Sequence, residues 1–344
     1  MRPVTRRRPD PNPEPTWGVL CCVVVLILLL TGCTSARSHV QAQRQGPFAA
    51  TAGLYADPTS SAEVWVAQHQ EDPRAEVIAR RIAGKPMAKW FAGTPSAVTA
   101  DVDRYVSAAE AAGRLPVLVA YNIPHRDCGG HSAGRLSTGA EYRTWIRAFA
   151  AGLGGRPALV VLEPDALLLL DCLSDSDAHA RMALLADALS VLRTNAPGTW
   201  TYLDAGDGSV TPVETMADRL RRSGVVTARG VALNVSNFNS TEDVVRYGAS
   251  LRNVLVPDRA AAGHSTPALL IDVSRNGNGP GESYCNPRGR LLGADPKPGG
   301  IPGVDALLWV KIPGESDGDC GAGRGTRSGD FVPELAMALI DGSG

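Results

Sequence analysis

This chain has few aromatic residues and no marked excess of positive or negative charge. Phe, Trp and Tyr make up 5% of its 344 residues, so each Trp or Tyr outside a helix stands out. The formal net charge is −1. A chain without a basic field has no electrostatic support for binding nucleic acid, so no nucleic-acid partner is expected. No strand is followed by a Gly-rich dinucleotide or phosphate motif, which argues against a nucleotide cofactor.

A long apolar run is lacking as well. The longest one, Val19–Leu30, is too short for the roughly 20 residues that span a bilayer. Four arginines precede it, and Leu-Thr-Gly-Cys ending at Cys33 follows it, which resembles the lipobox of bacterial lipoproteins. We therefore expect a signal peptide over 1–33, lipidation of Cys33 and a polar tether over 34–50. An uncleaved anchor is the alternative. Both place the protein outside the cell or at its surface, with membrane contact only through the N-terminus.

Cysteine pairs with metal-binding spacing are also missing. Three of the seven cysteines lie in the leader, and the remaining four are Cys128, Cys172, Cys285 and Cys320. No Cys-x-x-Cys pair or close His supports a zinc site, and we interpret His125 and His131 as loop residues. An even number of cysteines in an exported chain indicates two disulfides. Three pairings are open, of which the sequential one closes the smallest loops; each bridge would then stabilise by about 4 kcal/mol.

What the chain does contain is an alternation of apolar runs with helical segments. Predicted strands lie at 86–91, 115–121, 157–163, 199–205, 230–236, 267–273 and 305–311. Helices with start and stop signals are predicted over 71–84, 99–113 and 174–198. Strands that are apolar on both faces and alternate with helices indicate a parallel sheet, closed into a barrel or open and doubly wound.

Polar residues fall at the carboxyl ends of most of these strands, which favours the barrel. Barrel enzymes build their sites at that end from several strands, whereas an open sheet concentrates them at one switch point. The run Leu159–Leu170 carries Asp165 just past a buried strand, where desolvation raises a carboxyl pKa as a general acid requires. Asp127, Asp204, Glu315 and Asp317 reach the same rim. Converging carboxylates are the arrangement used to cleave glycosidic bonds.

Six motifs carrying these residues occur in one order along the chain. They are YNIPHRDCG, VLEPD, YLDAG, NVSNF, YCNPRGRLLG and LWVKIPGESDG. Together they resemble glycoside hydrolase family 6, the inverting β-1,4-glucanases, over roughly residues 50–342. The resemblance implies one catalytic domain, which we place at 51–344, with a distorted parallel β/α barrel of about seven strands. It also implies the sequential disulfides, and no cofactor or metal.

The resemblance assigns four catalytic residues. Asp165 would be the general acid that protonates the leaving oxygen. Asp127 would keep Asp165 protonated through like-charge proximity and organise water on the opposite face of the sugar. Asp317 would face the sugar cation and is a candidate base; the choice between it and a water relay through Asp127 stays open. Tyr121 would distort the sugar ring at the cleavage point.

The resemblance also assigns substrate contacts. Trp90 would stack on a sugar before the cleavage point, and Tyr284 would replace a Trp that stacks after it. Lys311 and Glu315 would bind sugar hydroxyls. The remaining substrate-binding predictions are Asp204, which would support this network, and Asn237. Glu163, two residues before the general acid, is expected to be structural and to pair with a neighbouring base such as Arg126 or Lys311.

Two positions depart from the family pattern. Asp207 stands where the family has His, and Val210 where it has a Trp platform on the leaving-group side. Losing that platform predicts weak action on crystalline cellulose or a preference for short or soluble glucans, and the additional acid could perturb neighbouring titrations. The segments that close tunnels in other members are short here, which predicts an open cleft and internal cutting.

The sequence thus predicts a monomeric, exported, lipid-anchored, inverting endo-β-1,4-glucanase acting on β-1,4-glucan or cello-oligosaccharides. The alternative is a cell-surface glucan-binding lipoprotein that is weakly active or inactive, since Asp207 and Val210 alter the leaving-group side. Retention of three desolvated acids argues against it, because a pure binding protein gains nothing from them. A third reading is hydrolysis of another envelope glycan on the same fold.

Overall fold

The computed structural model describes residues 1, 3, 46–49 and 51–343. The predicted signal peptide, the lipidation site at Cys33 and most of the predicted tether therefore lie outside the described residues. Within the described ranges, no helix is long and apolar enough to cross a membrane.

Seven parallel strands and one short antiparallel strand form a single sheet in the described part of the chain. They are β1 Lys89–Phe91, β2 Val117–Ala120, β3 Ala158–Leu162, β4 Thr199–Asp204, β5 Gly230–Leu233, β6 Ala268–Asp272, β7 Lys297–Pro298 and β8 Val304–Leu308. Each apolar run that predicted a strand contains one, although β8 begins one residue earlier than predicted. β7 was not predicted, because two exposed residues give no periodic signal.

The sheet curls into a half-barrel with the order β1-β2-β3-β4-β5-β6-β8-β7. β7 pairs antiparallel with β8 at one edge, and all other pairs are parallel. The Ala88 amide, just before β1, donates to the Trp309 carbonyl, just after β8, at 2.9 Å. This hydrogen bond links the segment that enters β1 to the segment that leaves β8. The predicted distorted α/β barrel is confirmed in this form, as one domain.

Over residues 51–343, two helices precede β1, five connect successive strands from β1 to β6, and one follows β8. They are α1 Ser61–Gln68, α2 Ala75–Ile78, α3 Pro95–Ala111, α4 Gly139–Leu153, α5 Asp175–Asn195, α6 Val213–Arg222, α7 Thr241–Ala261 and α8 Pro333–Asp341. The helix predicted over 71–84 begins later, because Asp72 accepts from the Arg74 amide in a turn before α2. It ends at Gly84 as expected, after one π turn over Ala79–Ala83.

Strand alternation divides the core into two hydrophobic clusters. Val119 and Val161 pack inside the curl with Leu270. Their neighbours Leu118 and Val160 point to the opposite face and pack against the helices. Because successive strand residues alternate faces, both faces of the sheet are apolar and buried. The carboxyl ends of the strands are left as the edge where polar side chains can gather.

The contact between α3 and α4 shows how sequence fixes the outer layer. Thr138 and Glu141 form a capping box that starts α4. Gly152 lets the two helices approach closely, since a Cβ there would lie 2.6 Å from the Thr99 carbonyl oxygen. Gly154 then ends α4 in the left-handed conformation.

Candidate active site

The loops that follow the strands contain strained backbone. In the part of the chain that the structure describes, eight residues other than glycine have positive φ, all beyond the carboxyl ends of β2, β3, β5 or β6: His125, Asp127, Cys128, Glu163, Asp165, Asn234, Ser236 and Asn286. Such conformations persist only where the surroundings hold them, and they cluster at functional sites. Two of the predicted catalytic acids, Asp127 and Asp165, are among them.

Asp165 lies just past β3 and keeps a small part of its surface exposed. Burial, followed by the charges of Asp127, Asp207 and Asp317 in that order, raises the pKa of its carboxyl to about 7. The general acid of glycoside hydrolysis needs such a value. The influence of Asp127 agrees with the role that the sequence predicted for it.

Asp204, at the end of β4, lies directly beside Asp165. Its Oδ2 accepts from the Asp165 backbone amide at 3.0 Å, which fixes the direction of the β3 loop. The residue is fully buried, and Oδ1 has no hydrogen-bond partner among the described residues. Burial, followed by the charge of Asp165, raises the pKa of Asp204 well above its usual range. These surroundings favour the neutral form of Asp204, which supports the loop of Asp165.

Asp127 lies in the loop after β2. Its Oδ2 accepts from the Ser132 amide at 2.6 Å. The disulfide Cys128–Cys172 ties this loop to the segment that follows Asp165. The buried guanidinium of Arg181 donates to the His125 carbonyl at 2.7 Å and to the Pro124 carbonyl at 3.0 Å. Covalent and polar contacts thus hold Asp127 on the same side of the half-barrel as Asp165.

Asp317, beyond β8, has basic partners. The Arg275 Nη1 lies 2.9 Å from its Oδ2 and the Lys311 Nζ lies 3.3 Å from its Oδ1. Burial favours the neutral form, but Arg275 and Lys311, together with the Asn286 amide, outweigh it and hold the pKa of Asp317 below its usual range. Asp317 is therefore ionised where Asp165 is still protonated. The second disulfide, Cys285–Cys320, brackets this loop, so both predicted pairings are present.

Tyr121 and Trp90 form an aromatic corner at the ends of β2 and β1. Their rings meet edge to face with centroids 5.1 Å apart, and the Trp90 indole donates to the Val310 carbonyl at 2.8 Å. Arg126 lies over the Tyr121 ring at 4.3 Å. Burial, then the charge of Asp165, raises the pKa of the Tyr121 phenol. Tyr121 is therefore held neutral close to the general acid.

The other predicted substrate contacts are more dispersed. The side chain of Tyr284 is 75% exposed, so its ring is free to serve as a platform. Glu315 accepts from the Ser61 hydroxyl at 2.7 Å, and Lys311 donates to the Ser316 carbonyl at 3.2 Å. Asn237 is half-buried in the loop after β5.

The expected partner of Glu163 was wrong. Glu163 is fully buried and accepts from the backbone amides of Asn122 and Ile123 at 2.9 and 3.0 Å. Arg126 instead donates to the Tyr121 and Ser132 carbonyls. Burial raises the pKa of Glu163 to about 7. It is structural as expected, but it fastens the β2 loop through main-chain amides.

Sequence reasoning assigned no role to Arg275, the partner of Asp317, and marked Asp272 only as a polar residue at the end of a strand. Asp272 is fully buried and accepts from the backbone amides of Ser236, Ser274, Val310 and Lys311 at 2.9 to 3.2 Å. It joins the loops that follow β5, β6 and β8. The signal for Arg275 was its place: a single arginine, three residues past Asp272, at an edge crowded with acids.

His131 lies against the second disulfide. Its ring nitrogen and the sulfurs of Cys285 and Cys320 lie within 4.8 Å of one another. These sulfurs are joined in a disulfide, so neither can act as a thiolate ligand, and the group does not suit a metal. His131 instead packs the Asp127 loop against Gly318, the neighbour of Asp317. A Cβ atom at position 318 would lie 2.5 Å from the His131 ring.

Comparison with known proteins agrees with this arrangement of acids on a half-barrel. The sequence model of the family described as "Glycosyl hydrolases family 6" matches residues 49–341. The chain belongs to this family. It is 44% identical over 297 residues to Endoglucanase 1 of Streptomyces halstedii, covering 86% of this chain and 91% of the relative. It is also 44% identical over 289 residues to Endoglucanase A of Thermobispora bispora, covering 83% of this chain and 62% of the relative.

A solved structure extends the likeness to three dimensions. The endoglucanase Cel6 from Mycobacterium tuberculosis, solved in complex with a methyl-cellobiosyl-4-deoxy-4-thio-β-D-cellobioside, aligns with a TM-score of 0.78 and 39% identity. The alignment covers 86% of this chain and 98% of that one. The resemblance drawn from the sequence motifs is confirmed, and this family 6 protein is a glycoside hydrolase.

Proposed function

We propose that this family 6 protein is an inverting endo-β-1,4-glucanase that is exported and anchored at the cell surface through Cys33. The observation that carries the catalytic part is the contrast between two carboxyls. Burial raises the pKa of Asp165 to about 7, whereas Arg275 and Lys311 overcome burial and hold Asp317 ionised. Carboxyl groups whose pKa values are pushed apart take the acid and the charge-stabilising role in hydrolysis.

In this mechanism Asp165 donates its proton to the glycosidic oxygen as the bond from that oxygen to the anomeric carbon breaks. A water molecule attacks the anomeric carbon from the opposite face and gives up a proton toward Asp127 or Asp317. The charge of Asp317 stabilises the sugar cation, and the aromatic corner of Tyr121 and Trp90 shapes the ring that reacts. Single displacement by water inverts the anomeric configuration.

The proposed substrate follows from the relatives. The curated relatives named above are endoglucanases, and the solved neighbour holds a thio-linked cello-oligosaccharide. A β-1,4-glucan chain is therefore the substrate we assign to this site. Short segments beside both disulfides support an open cleft and internal cutting. The loops of Asp127 and Asp317 meet where the hydroxyls of Ser132 and Ser328 lie 2.7 Å apart and where His131 packs on Gly318.

The proposal is tested on soluble mixed-linkage β-glucan and carboxymethyl cellulose. We expect reducing ends to be released, viscosity to fall faster than they accumulate, and NMR of early products to show α-anomers. Parallel loss of viscosity and gain of ends would point to attack from chain ends, and β-anomers would exclude inversion. Labelled fatty acid incorporated by the wild type but not by Cys33→Ala would support the lipid anchor; label in neither protein would exclude it.

The second candidate is a glucan-binding lipoprotein without appreciable catalysis. The observation in its favour is the leaving-group side, where Val210 is 75% exposed in place of an aromatic platform and Asp207 adds a carboxylate. Retardation of the protein in gels that contain β-glucan, without release of reducing ends, would establish this function.

The missing platform predicts a gain from Val210→Trp. Restoring a stacking surface should tighten binding of cellopentaose or longer oligosaccharides by about 1 kcal/mol, which is roughly fivefold in affinity, because an exposed aromatic ring buries apolar sugar surface. Calorimetry on an Asp165→Asn background would measure it. Val64→Trp, at an exposed valine on α1, is the matched control and should change nothing. Equal affinities for Val210→Trp and wild type would place position 210 outside the cleft.

A further inference from the structure

Asp207 is an acid at this rim for which the family pattern offers no role. The residue is 8% exposed, and its Oδ1 accepts from both the amide and the hydroxyl of Ser209, at 2.8 and 2.6 Å. Among the described residues no ion pair involves Asp207, and the basic side chains Arg275 and Lys311 are committed to Asp317. The negative charge of a mostly buried carboxylate that has no cation beside it raises the pKa of neighbouring carboxyl groups.

The turn that carries Asp207 is fixed. The Ala205 amide donates to the Ala232 carbonyl at 2.9 Å, and the Asn234 amide donates to the Gly206 carbonyl at the same distance. The Tyr247 hydroxyl donates to the Ala205 carbonyl at 3.1 Å. Gly208 lies flat on Tyr247, where a Cβ would approach the ring to 2.5 Å. Asp207 therefore has no alternative position away from the strand end.

The same strand end holds the general acid. Asp204 Oδ2 accepts from the Asp165 amide at 3.0 Å and from the Gly206 amide at 3.4 Å, while Asp204 Oδ1 is buried with no hydrogen-bond partner in the ranges that the structure describes. Because Gly206 directly precedes Asp207, the turn of Asp207 and the loop of Asp165 meet at the Asp204 carboxyl. The three carboxyls form a cluster in which a negative charge on one favours a proton on the others.

We infer that Asp207 is a positioning residue for the general acid: its fixed carboxylate helps Asp165 to keep the catalytic proton as the pH rises toward neutral. The inference rests on the proposed function. The titratable groups that face Asp207 are Asp165, Asp204 and Tyr247, and those that face Asp165 also include Asp127, Asp317 and Tyr121. The presence of an acid where the family has His should therefore extend activity toward higher pH.

The test is the pH profile of kcat/KM on soluble β-glucan. Removing a negative charge lowers the pKa of Asp165, so Asp207→Asn should move the basic limb about half to one pH unit lower. Asp207→His should move it at least as far, because its ring is neutral or positive. Asp207→Glu should restore the wild-type limb. Glu110→Gln, which removes the same charge at the far end of α3, should leave the profile unchanged.

A second readout separates this inference from the proposed function. Carbon-13 NMR of aspartate-labelled protein follows the Asp165 carboxyl directly, with the signal assigned by its loss in Asp165→Asn. We expect Asp165 to titrate at lower pH in Asp207→Asn than in the wild type. An unchanged titration, or a uniform loss of kcat at every pH with no movement of the limb, would overturn the inference. If the wild type proves inactive, the proposed function fails, and the NMR titration alone still decides the role of Asp207.

Discussion

Asp165→Asn should lower kcat/KM on soluble β-glucan by about three orders of magnitude, because the leaving oxygen then departs without a proton. Asn tolerates the left-handed backbone that Asp165 adopts and has nearly the same shape, so the fold should survive. Reducing-end release under first-order conditions measures the effect.

The choice of substrate makes the same variant diagnostic. A dinitrophenyl β-cellobioside has a leaving group that needs no protonation, so Asp165→Asn should lose far less activity on it than on glucan. Asp171→Asn is the matched control, since it makes the same change at a largely exposed side chain in the next turn of the chain. An equal loss on both substrates would show that Asp165 supports binding or structure and is not the acid.

Asp272→Ala should destabilise the protein by about 3 to 5 kcal/mol, the largest stability effect we expect from a single substitution. Four buried amide groups, from three loops, would lose their acceptor at once. Unsatisfied donors keep their desolvation cost, and the methyl group of alanine offers nothing in return. The free energy of unfolding in urea, monitored by tryptophan fluorescence, measures the change.

Two further variants sharpen this prediction. Asp187→Ala removes an exposed carboxylate that pairs with Arg143 on the surface, and should cost less than about 1 kcal/mol. Asp272→Asn keeps one acceptor oxygen but turns an NH₂ group toward amide donors, so its cost should lie between the two. If Asp272→Ala unfolds at the same urea concentration as Asp187→Ala, the amide cluster does not need its carboxylate.

The fold was predictable because its signals are local. Runs such as Ala268–Ile271 are apolar throughout, which indicates a strand buried on both faces, and the polar residue that follows, here Asp272, marks the edge of the barrel. The strand β7 gave no such signal, since its two residues are strand only through pairing with β8. Local patterns do not report pairings between distant segments.

The same limit explains the outcome at the site. The family motifs supplied Asp165, Asp127 and Asp317, but the partners that set their charges come from elsewhere in the chain. Arg275 reaches Asp317 across 42 positions of sequence. Glu163 finds its amides 40 and 41 positions away, through the register of β2 and β3. Such contacts depend on three-dimensional register, which composition and spacing cannot supply.

The two disulfides have a consequence for where the enzyme can work. Cys128 directly follows Asp127, and Cys320 lies three residues beyond Asp317, so each cross-link braces one acid-bearing loop. Disulfides of this kind persist in oxidising surroundings and are kept open by the thiol pools of the cytosol. A newly made chain inside the cell would therefore carry its acids on unbraced loops. In the exported protein that we propose, both acid-bearing loops would be cross-linked only after the chain has reached an oxidising compartment.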